Sequence, residues 1–261
     1  MEINLISTNI RFDNPADGEH SWDNRRDHLS RILLRYSPHI VGTQEGREPQ
    51  LRDLDSLLPQ LTLIDSHRDW LSERMYPTLY IDLSKLDVIN SGDIWLSETP
   101  KVAGSKSFQS SFPRLSTWAH LKFIEDNFEF IVTNTHLDHE SETTRCEQIK
   151  VLINEIRKER ADVLPIVFMG DFNSSPIDRV RKHLVDELSL IDPWISLKKK
   201  EQTSYHFFKG DIDNGSRIDW ILHDSNFKAL EAEFNEETSN DLYPSDHFPL
   251  YTKLSLNSAQ S

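Results

Sequence analysis

Leu164-Pro165-Ile166-Val167-Phe168-Met169-Gly170-Asp171-Phe172-Asn173 is the stretch on which the reading of this chain turns. Its run of apolar and β-branched residues predicts a strand buried on both faces. Gly-Asp-Phe-Asn, followed by Ser174-Ser175-Pro176, is turn and helix-start chemistry. A core strand thus delivers a carboxylate and a carboxamide, two residues apart and on one face, to the rim of a sheet. Oxygen ligands fixed on a rigid element suit a hard cation such as Mg²⁺. The competing reading is a turn in which Asp171 and Asn173 only cap the following helix.

The rest of the chain must decide between the two. Its 261 residues fit one large domain or two small ones, and no repeat, low-complexity tract or linker divides them, so a single domain over 1–261 is expected. Six Trp among 10% aromatics can build a substantial core. The net charge of −14 argues against a tight, sequence-independent nucleic-acid binder, which needs a basic face. Cys146 is the only cysteine, which excludes an internal disulfide and a thiolate metal cluster. Met1 leads straight into Glu2-Ile3-Asn4-Leu5 with no basic segment and apolar signal core, and no apolar run reaches membrane-spanning length. A soluble, cytoplasmic protein without a membrane anchor or an obligate protein partner is expected.

Taken in order, the pattern predicts a strand over Glu2–Asn9, a helix carrying Trp22, Leu29, Ile32, Leu33 and Tyr36 with Ser21 as its N-cap, and a strand over His39–Thr43. A helix from Gln50 to Leu58 follows. Strands are then expected over Leu61–Ile64, Thr78–Asp82, Asp87–Trp95, Ser116–Phe123 and Phe128–Thr133, the last two joined by an Asp126-Asn127 hairpin. Ile149, Leu152, Ile153 and Ile156 stripe a helix starting near Glu142, and a charged helix spans about Asp178–Leu188. Lys198-Lys199-Lys200-Glu201 reads as a solvated loop. Strands over Ser216–Leu222, Phe227–Phe234 and Leu250–Leu256 close the chain.

Asn9, Glu45, His136, Asp171, Asn173, Asp219, Asp246 and His247 share one placement, at or just past the end of an apolar strand. Each alone is readily structural; together they converge if the strands share sheets with these ends side by side. Glu45, Asp246 and Asn9 offer oxygen ligands to one or two divalent ions, with too few histidines for a zinc trio. Asp171 can hold or deprotonate a water, and Asn173 can orient it or bind a phosphate oxygen. His136 and His247 can act as base or acid, or stabilise charge on a phosphoryl group, and Asp219 can fix a histidine tautomer. The set suits metal-assisted hydrolysis of a phosphate ester.

The ordered elements Thr8-Asn9-Ile10, Gln44-Glu45, Thr135-His136, Gly170-Asp171-Phe172-Asn173, Arg217-Ile218-Asp219 and Ser245-Asp246-His247 resemble the endonuclease/exonuclease/phosphatase superfamily. Asp13 to Gly18, Trp95 to Pro100, Pro113-Arg114 through Trp118, and Thr135 to His139 look like a bacterial-type branch of it. The resemblance implies an α+β fold, a four-layer αββα sandwich of two mixed, mainly antiparallel β-sheets flanked by helices, as in DNase I. It implies Mg²⁺ (or Mn²⁺) on Asn9, Glu45 and Asp246, and catalysis by His136, Asp171, Asn173, Asp219 and His247. Arg11 stands where repair-type members carry an Asp, so a second metal there is in doubt and a substrate phosphate is the alternative. Arg114 and His206 are the other candidates for substrate contact. The expected activity is a phosphodiesterase or phosphatase acting on a phosphorylated small molecule or a nucleic-acid end. A DNA or RNA nuclease is the alternative, and a catalytically silent binding module a more remote one.

Overall fold

The computed structural model describes residues 1–160 and 164–257. The opening stretch forms strand β8 (Ile166–Asp171), buried along its whole length. It pairs in parallel with β7 (Glu129–His136) and antiparallel with β9 (Asp219–His223). β5 (Leu86–Trp95) and β6 (Leu115–Phe123) complete a sheet of order β5-β6-β7-β8-β9. The other sheet, which holds β1 and is termed the first (the β5–β9 sheet being the second), has the order β10-β11-β1-β2-β4-β3. Its strands are β1 (Glu2–Asn9), β2 (Ile40–Gln44), β3 (Thr62–Leu63), β4 (Thr78–Ile81), β10 (Phe227–Phe234) and β11 (Leu250–Leu256). Among the described residues only β1–β2 and β7–β8 are parallel pairs; the remaining pairings are antiparallel.

Each parallel pair needs a crossover, and a helix supplies it. Helix α1 (Trp22–Arg35) links β1 to β2, and α3 (Glu142–Glu159) occupies the link from β7 to β8. Leu29, Ile32 and Leu33 recur at helical spacing on α1, and Leu29 and Leu33 pack with α2 (Glu48–Leu57) on the outer face of the first sheet. On α3, Ile149, Leu152, Ile153 and Ile156 cover the outer face of the second sheet together with α4 (Arg179–Leu188). A short helix, α5 (Pro193–Ser196), brings Trp194 into the layer between the sheets. The result is the α+β sandwich of helices on two sheets that the resemblance implied. No helix among the described residues is long and apolar enough to cross a membrane.

Strand periodicity decides which side chains face inward. Ile3 and Leu5 of β1, Val132 of β7, Val167 and Met169 of β8 and Ile221 of β9 lie in the core between the sheets, whereas Ile6, Ile131, Phe168 and Trp220 face the helices. Continuing that alternation puts Asn9, His136, Asp171 and Asp219 on the inner faces too, at one end of the sandwich. Between the apolar core and these residues lies a polar seam. Gln44 Nε2 donates to Asn134 Oδ1 at 2.7 Å, and Asn134 Nδ2 donates to the carbonyls of Thr43 and Thr78 at 2.8 and 2.9 Å. The sheets approach so closely here that a Cβ on Gly42 would collide with Met169.

Most elements coincide with the sequence reading. Strand β9 begins at Asp219 rather than Ser216, because Arg217 is diverted into the interior, where it meets Asp192 and Glu201. Ser21 occupies the N-cap position of α1 but makes no side-chain capping bond. Within Asp13–Gly18, a short 3₁₀ turn runs over Pro15–His20 with Asn14 accepting from the Ala16 N–H.

Candidate active site

The site follows from strand register. His136 of β7, Asp171 of β8 and Asp219 of β9 occupy one row across the second sheet. Residues in register across adjacent strands present their side chains to the same face. His136 Nε2 accordingly lies 3.4 Å from Asp171 Oδ2. From the first sheet, Asn9 Nδ2 donates to Asp171 Oδ2 at 3.0 Å and to Glu45 Oε1 at 3.1 Å, which joins the two sheets at their rims.

Three residues leave the strand ends in the left-handed region: Arg11 (φ 53°), Glu45 (φ 69°) and Asn173 (φ 49°). For residues with a Cβ this conformation is uncommon, and it clusters at functional sites held by their surroundings. Here side-chain bonds hold it. Glu45 Oε2 accepts from the Phe12 N–H at 3.2 Å, the Arg11 N–H donates to Asn9 Oδ1 at 2.9 Å, and the Asn173 N–H donates to Asp171 Oδ1 at 2.9 Å. Asn173 therefore does not share a strand face with Asp171 as the sequence suggested. The chain turns first, and Asn173 Nδ2 donates to the Leu137 carbonyl at 3.0 Å.

His247 completes the group. Its Nδ1 lies 2.8 Å from Asp219 Oδ2, and its Nε2 lies 3.9 Å from Asp171 Oδ2. Burial alone would depress the imidazole, but the charge and hydrogen bond of Asp219, with Asp171 and Asp246 adding, push it up to about 10. Burial, with the neighbouring charge of Asp219, raises Asp171 above the ordinary carboxylate range. His136 goes the other way: burial, then the charges of Arg114 and His247, hold it well below the usual histidine value.

Asp246 is buried, and its neighbourhood to Glu45 is visible electrostatically. Burial raises its pKa, and among the surrounding charges Glu45 raises it further while His247 and Arg11 oppose. Arg11 is clamped through Nε and Nη2 by Asp17, both at 3.0 Å, and its Nη1 lies 3.9 Å from Asp246 Oδ2. Ser245 Oγ donates to the Asn9 carbonyl at 2.6 Å, which ties the Asp246 loop to the end of β1. Arg25, fully buried on α1, reinforces the tie by donating to the carbonyls of Ile10, Arg11 and Pro244. Sequence reasoning did not find Arg25, because its partners are carbonyls from distant loops.

These residues open into a cleft of about 580 Å³. Arg11, Glu45, Arg114, His136, Asp171 and Asn173 line it, as do Asp246 and His247. Asp219 and Asn9 stand behind that lining, holding His247 and Asp171. Arg114 is buried, donates to His139 Nδ1 at 3.2 Å, and has no carboxylate within ion-pair distance among the described residues. His206 is placed otherwise. It stacks on Phe248 at 3.8 Å, accepts from the Gly210 N–H, and burial followed by the charge of His247 lowers it to about 3. It supports the Asp246-His247 loop from behind, its own N–H donating to the Asp246 carbonyl at 2.8 Å, and does not line the cleft. Its aromatic context in the sequence could not separate packing from substrate contact. The cleft adds Phe12, Arg47, Arg74, Phe112, His139 and Tyr205, which the sequence analysis did not single out as site residues. They lie on loops, where no periodicity marks them.

The donor chemistry fits a hard divalent cation. Glu45 and Asp246 bring two carboxylates together, and Asn9 holds a carboxamide beside them. Bringing like charges together in a buried site is unfavourable, and a cation between them relieves it. A second arrangement also meets a distance criterion, with ligand atoms of Asp171, Asp219 and His247 all within 4.8 Å of one another, so this buried group could bind a metal. There, however, the closest contact is an internal hydrogen bond, since His247 Nδ1 is already bound to Asp219.

Comparison with known proteins agrees with the geometry. An endonuclease/exonuclease/phosphatase from Bacteroides vulgatus superposes with a TM-score of 0.91 at 27% identity, over 98% of this chain and 100% of that one. A mannosyl-6-phosphatase of Bacteroides thetaiotaomicron VPI-5482 gives 0.89 at 27% identity, over 97% and 100%. Protein angel of Drosophila melanogaster is 26% identical over 179 residues, 66% of this chain and 49% of its own length, so the chain spans about half of that relative. Residues 6–247 match the Endonuclease/Exonuclease/phosphatase family, and a match across nearly the whole chain, on the shared fold, makes this protein a member of that family.

Proposed function

We propose that the protein is a Mg²⁺-dependent phosphoesterase that hydrolyses a phosphate ester of a small phosphorylated molecule, the whole chain acting as one domain. The observation that carries this reading is Asp171. It is a buried carboxylate of raised pKa, between two histidines and near Arg114, a buried arginine with no ion-pair partner among the described residues. A carboxylate whose pKa lies nearer neutrality is a stronger base toward water than an ordinary one, and Asn173 can orient that water. Arg114 can bind a phosphate oxygen through charge-assisted hydrogen bonds.

The two histidines divide the remaining work. His247, kept charged by Asp219, offers its Nε2 proton and positive charge to an oxygen of the phosphoryl group or leaving group. His136, kept neutral by burial, can donate or accept a hydrogen bond without adding charge. Glu45, Asp246 and Asn9 would hold the cation, which when bound supplies positive charge to the phosphoryl oxygens. We prefer them to Asp171, Asp219 and His247, because metal binding in the latter group would dismantle the hydrogen bond that keeps His247 charged.

A small substrate is favoured over a long polyanion by the −14 net charge and by a cleft whose volume of about 580 Å³ falls in the range of small-molecule sites. The likeness to a mannosyl-6-phosphatase at 27% identity supports a sugar phosphate among the candidates. The test is a panel assayed with Mg²⁺ and with chelator: hexose 6-phosphates, inositol phosphates, sphingomyelin, dinucleotide cofactors and oligonucleotides with defined ends. Mg²⁺-dependent release of phosphate from a small phosphoester is the expected result. Efficient turnover confined to oligonucleotides would transfer the assignment to a nuclease.

A further inference from the structure

A second cavity, of about 700 Å³, adjoins the catalytic cleft. Arg47, Glu73 and Arg74 line both, so the two are neighbours across a single narrow wall. The chain makes that wall by alternation. Glu45 faces the cleft while Glu48, at the start of α2, faces the second cavity; Arg11 faces the cleft while Asp13 faces the second cavity. On the wall itself, Arg47 Nη1 lies 3.1 Å from Glu73 Oε2, with the two side chains 35% and 75% exposed. An ion pair this exposed adds little stability and can open at low cost.

The second cavity differs from the first in chemistry. The cleft sets four arginines against four carboxylates, Glu45, Glu73, Asp171 and Asp246, and holds Arg114 without an ion-pair partner among the described residues. In the second cavity Asp53 and the Arg47–Glu73 pair meet internal partners of opposite charge. Asp53 Oδ2 accepts from Trp22 Nε1 at 2.7 Å and from Arg26 Nη1 at 2.8 Å, and Gln50 Oε1 accepts from the Asp13 N–H at 3.0 Å. A polyanion continuing out of the cleft would meet Asp13, Glu48, Asp53 and Glu73, four carboxylates against three guanidiniums. That balance disfavours a nucleic acid. It suits a neutral ligand dense in hydroxyls, which donate to carboxylates and accept from guanidinium and amide groups, while half-buried Trp70 and Leu71 add apolar surface for C–H faces.

We propose that this cavity is a binding site for the uncharged, polyhydroxylated part of the substrate, a saccharide chain whose terminal unit carries the phosphate in the cleft. The substrate is then a phosphorylated oligosaccharide rather than a free hexose phosphate. This assignment rests on the phosphoesterase reading above, and its test separates the two. Ser72 lies on the exposed rim of the cavity and makes no side-chain hydrogen bond among the described residues, so Ser72→Trp obstructs the cavity without removing a structural contact. Glu48→Ala, which removes a carboxylate acceptor paired, among the described residues, only with Arg52 at 3.5 Å, serves as a second variant, and thermal melts establish that both fold.

Two probes are compared with Mg²⁺: mannose 6-phosphate, and mannotriose phosphorylated at C6 of its terminal residue. The trisaccharide is expected to exceed the monosaccharide in kcat/KM by about tenfold, since remote binding energy can be used at the reacting centre. Ser72→Trp should bring that ratio to about one, and Glu48→Ala should lower it in the same direction. Calorimetry with unphosphorylated mannotriose should show binding to the native protein and none to Ser72→Trp. A ratio near one in the native protein, no mannotriose binding, or an oligonucleotide whose turnover is the one lost in Ser72→Trp overturns the assignment. If no phosphoester is hydrolysed but mannotriose binding depends on Ser72, the saccharide site stands and the phosphoesterase reading falls.

Discussion

His247 Nδ1 stands 2.8 Å from Asp219 Oδ2, a contact between the first residue of β9 and a loop reached only after β10. Asp219→Asn keeps the shape but removes the charge that holds His247 up at about 10. Loss of general-acid function of this kind costs about 10²- to 10⁴-fold in rate. We expect kcat to fall in that range with KM changed little and the far-UV circular dichroism unaltered. An unchanged kcat would remove His247 from the chemistry.

Chelation should abolish hydrolysis, and Mg²⁺ or Mn²⁺ should restore it. Glu45→Gln is expected to raise the half-saturating Mg²⁺ concentration by about tenfold or more, whereas Asp219→Asn lowers the rate at saturating Mg²⁺ without such a shift. The opposite pattern would place the cation among Asp171, Asp219 and His247.

Arg114 has no carboxylate partner within the cleft, so its charge is available to a substrate anion. Arg114→Ala should raise KM for a phosphoester by about 10- to 150-fold, the worth of one charge-assisted hydrogen bond at about 1.5–3 kcal/mol. Steady-state kinetics with inorganic phosphate as competitor reads the same site twice, because its inhibition constant should rise in parallel. A rise in one without the other would mean that Arg114 holds the loop rather than the anion.

Away from the site, Asp93 accepts from Arg68 Nε at 2.8 Å, the arginine buried and the aspartate side chain 10% exposed. Burial raises Asp93, but the charge of Arg68, with hydrogen bonds from His67 and Arg68, overcomes it and holds the carboxyl below its ordinary value. A folded-state pKa below the unfolded one stabilises the protein at all pH values above the unfolded pKa, and that contribution fades as pH falls through and below it. Breaking such a pair costs about 3–5 kcal/mol. Asp93→Asn should therefore be less stable than the native protein at pH 7, and the gap in urea unfolding should narrow below about pH 4. A gap independent of pH would leave the charge without a role.

Gly170 has φ +144°, and a Cβ there would collide with the backbone of Thr135 on the neighbouring strand. Gly170→Ala should cost about 2 kcal/mol or more, the range for overpacking plus backbone strain, and should lower activity by shifting Asp171. Differential scanning calorimetry checks the first part and kcat the second.

Element boundaries were largely legible in the sequence because burial writes a period on it. The alternation of Ile3, Leu5 and of Val167, Met169 marks inward faces, and the Ile149-Leu152-Ile153-Ile156 stripe marks a helix. The same reading placed Asp171 and His136 at strand ends, whereas it put Asp219 inside a strand over Ser216–Leu222 that in fact begins at Asp219. It could not foretell Asn173, whose left-handed backbone undoes the strand rule, nor that Arg217 would turn inward to Asp192. His206 was legible as a residue among aromatics but not as one packed behind the site.

By itself, the sequence determined the family and most of the strands and helices, and it placed candidate oxygen ligands and histidines near strand ends, because each is carried by local residue type and spacing. The tertiary structure alone decided which of them meet. Asn9 reaches Asp171 across 162 positions, and Arg25 reaches Pro244 across 219. Contacts of that span depend on the register of two parallel strand pairs and on how closely two sheets approach, and those are properties of packing that no short stretch of sequence encodes. The carboxylate of the opening stretch becomes a candidate base only there, where burial and Asp219 raise its pKa.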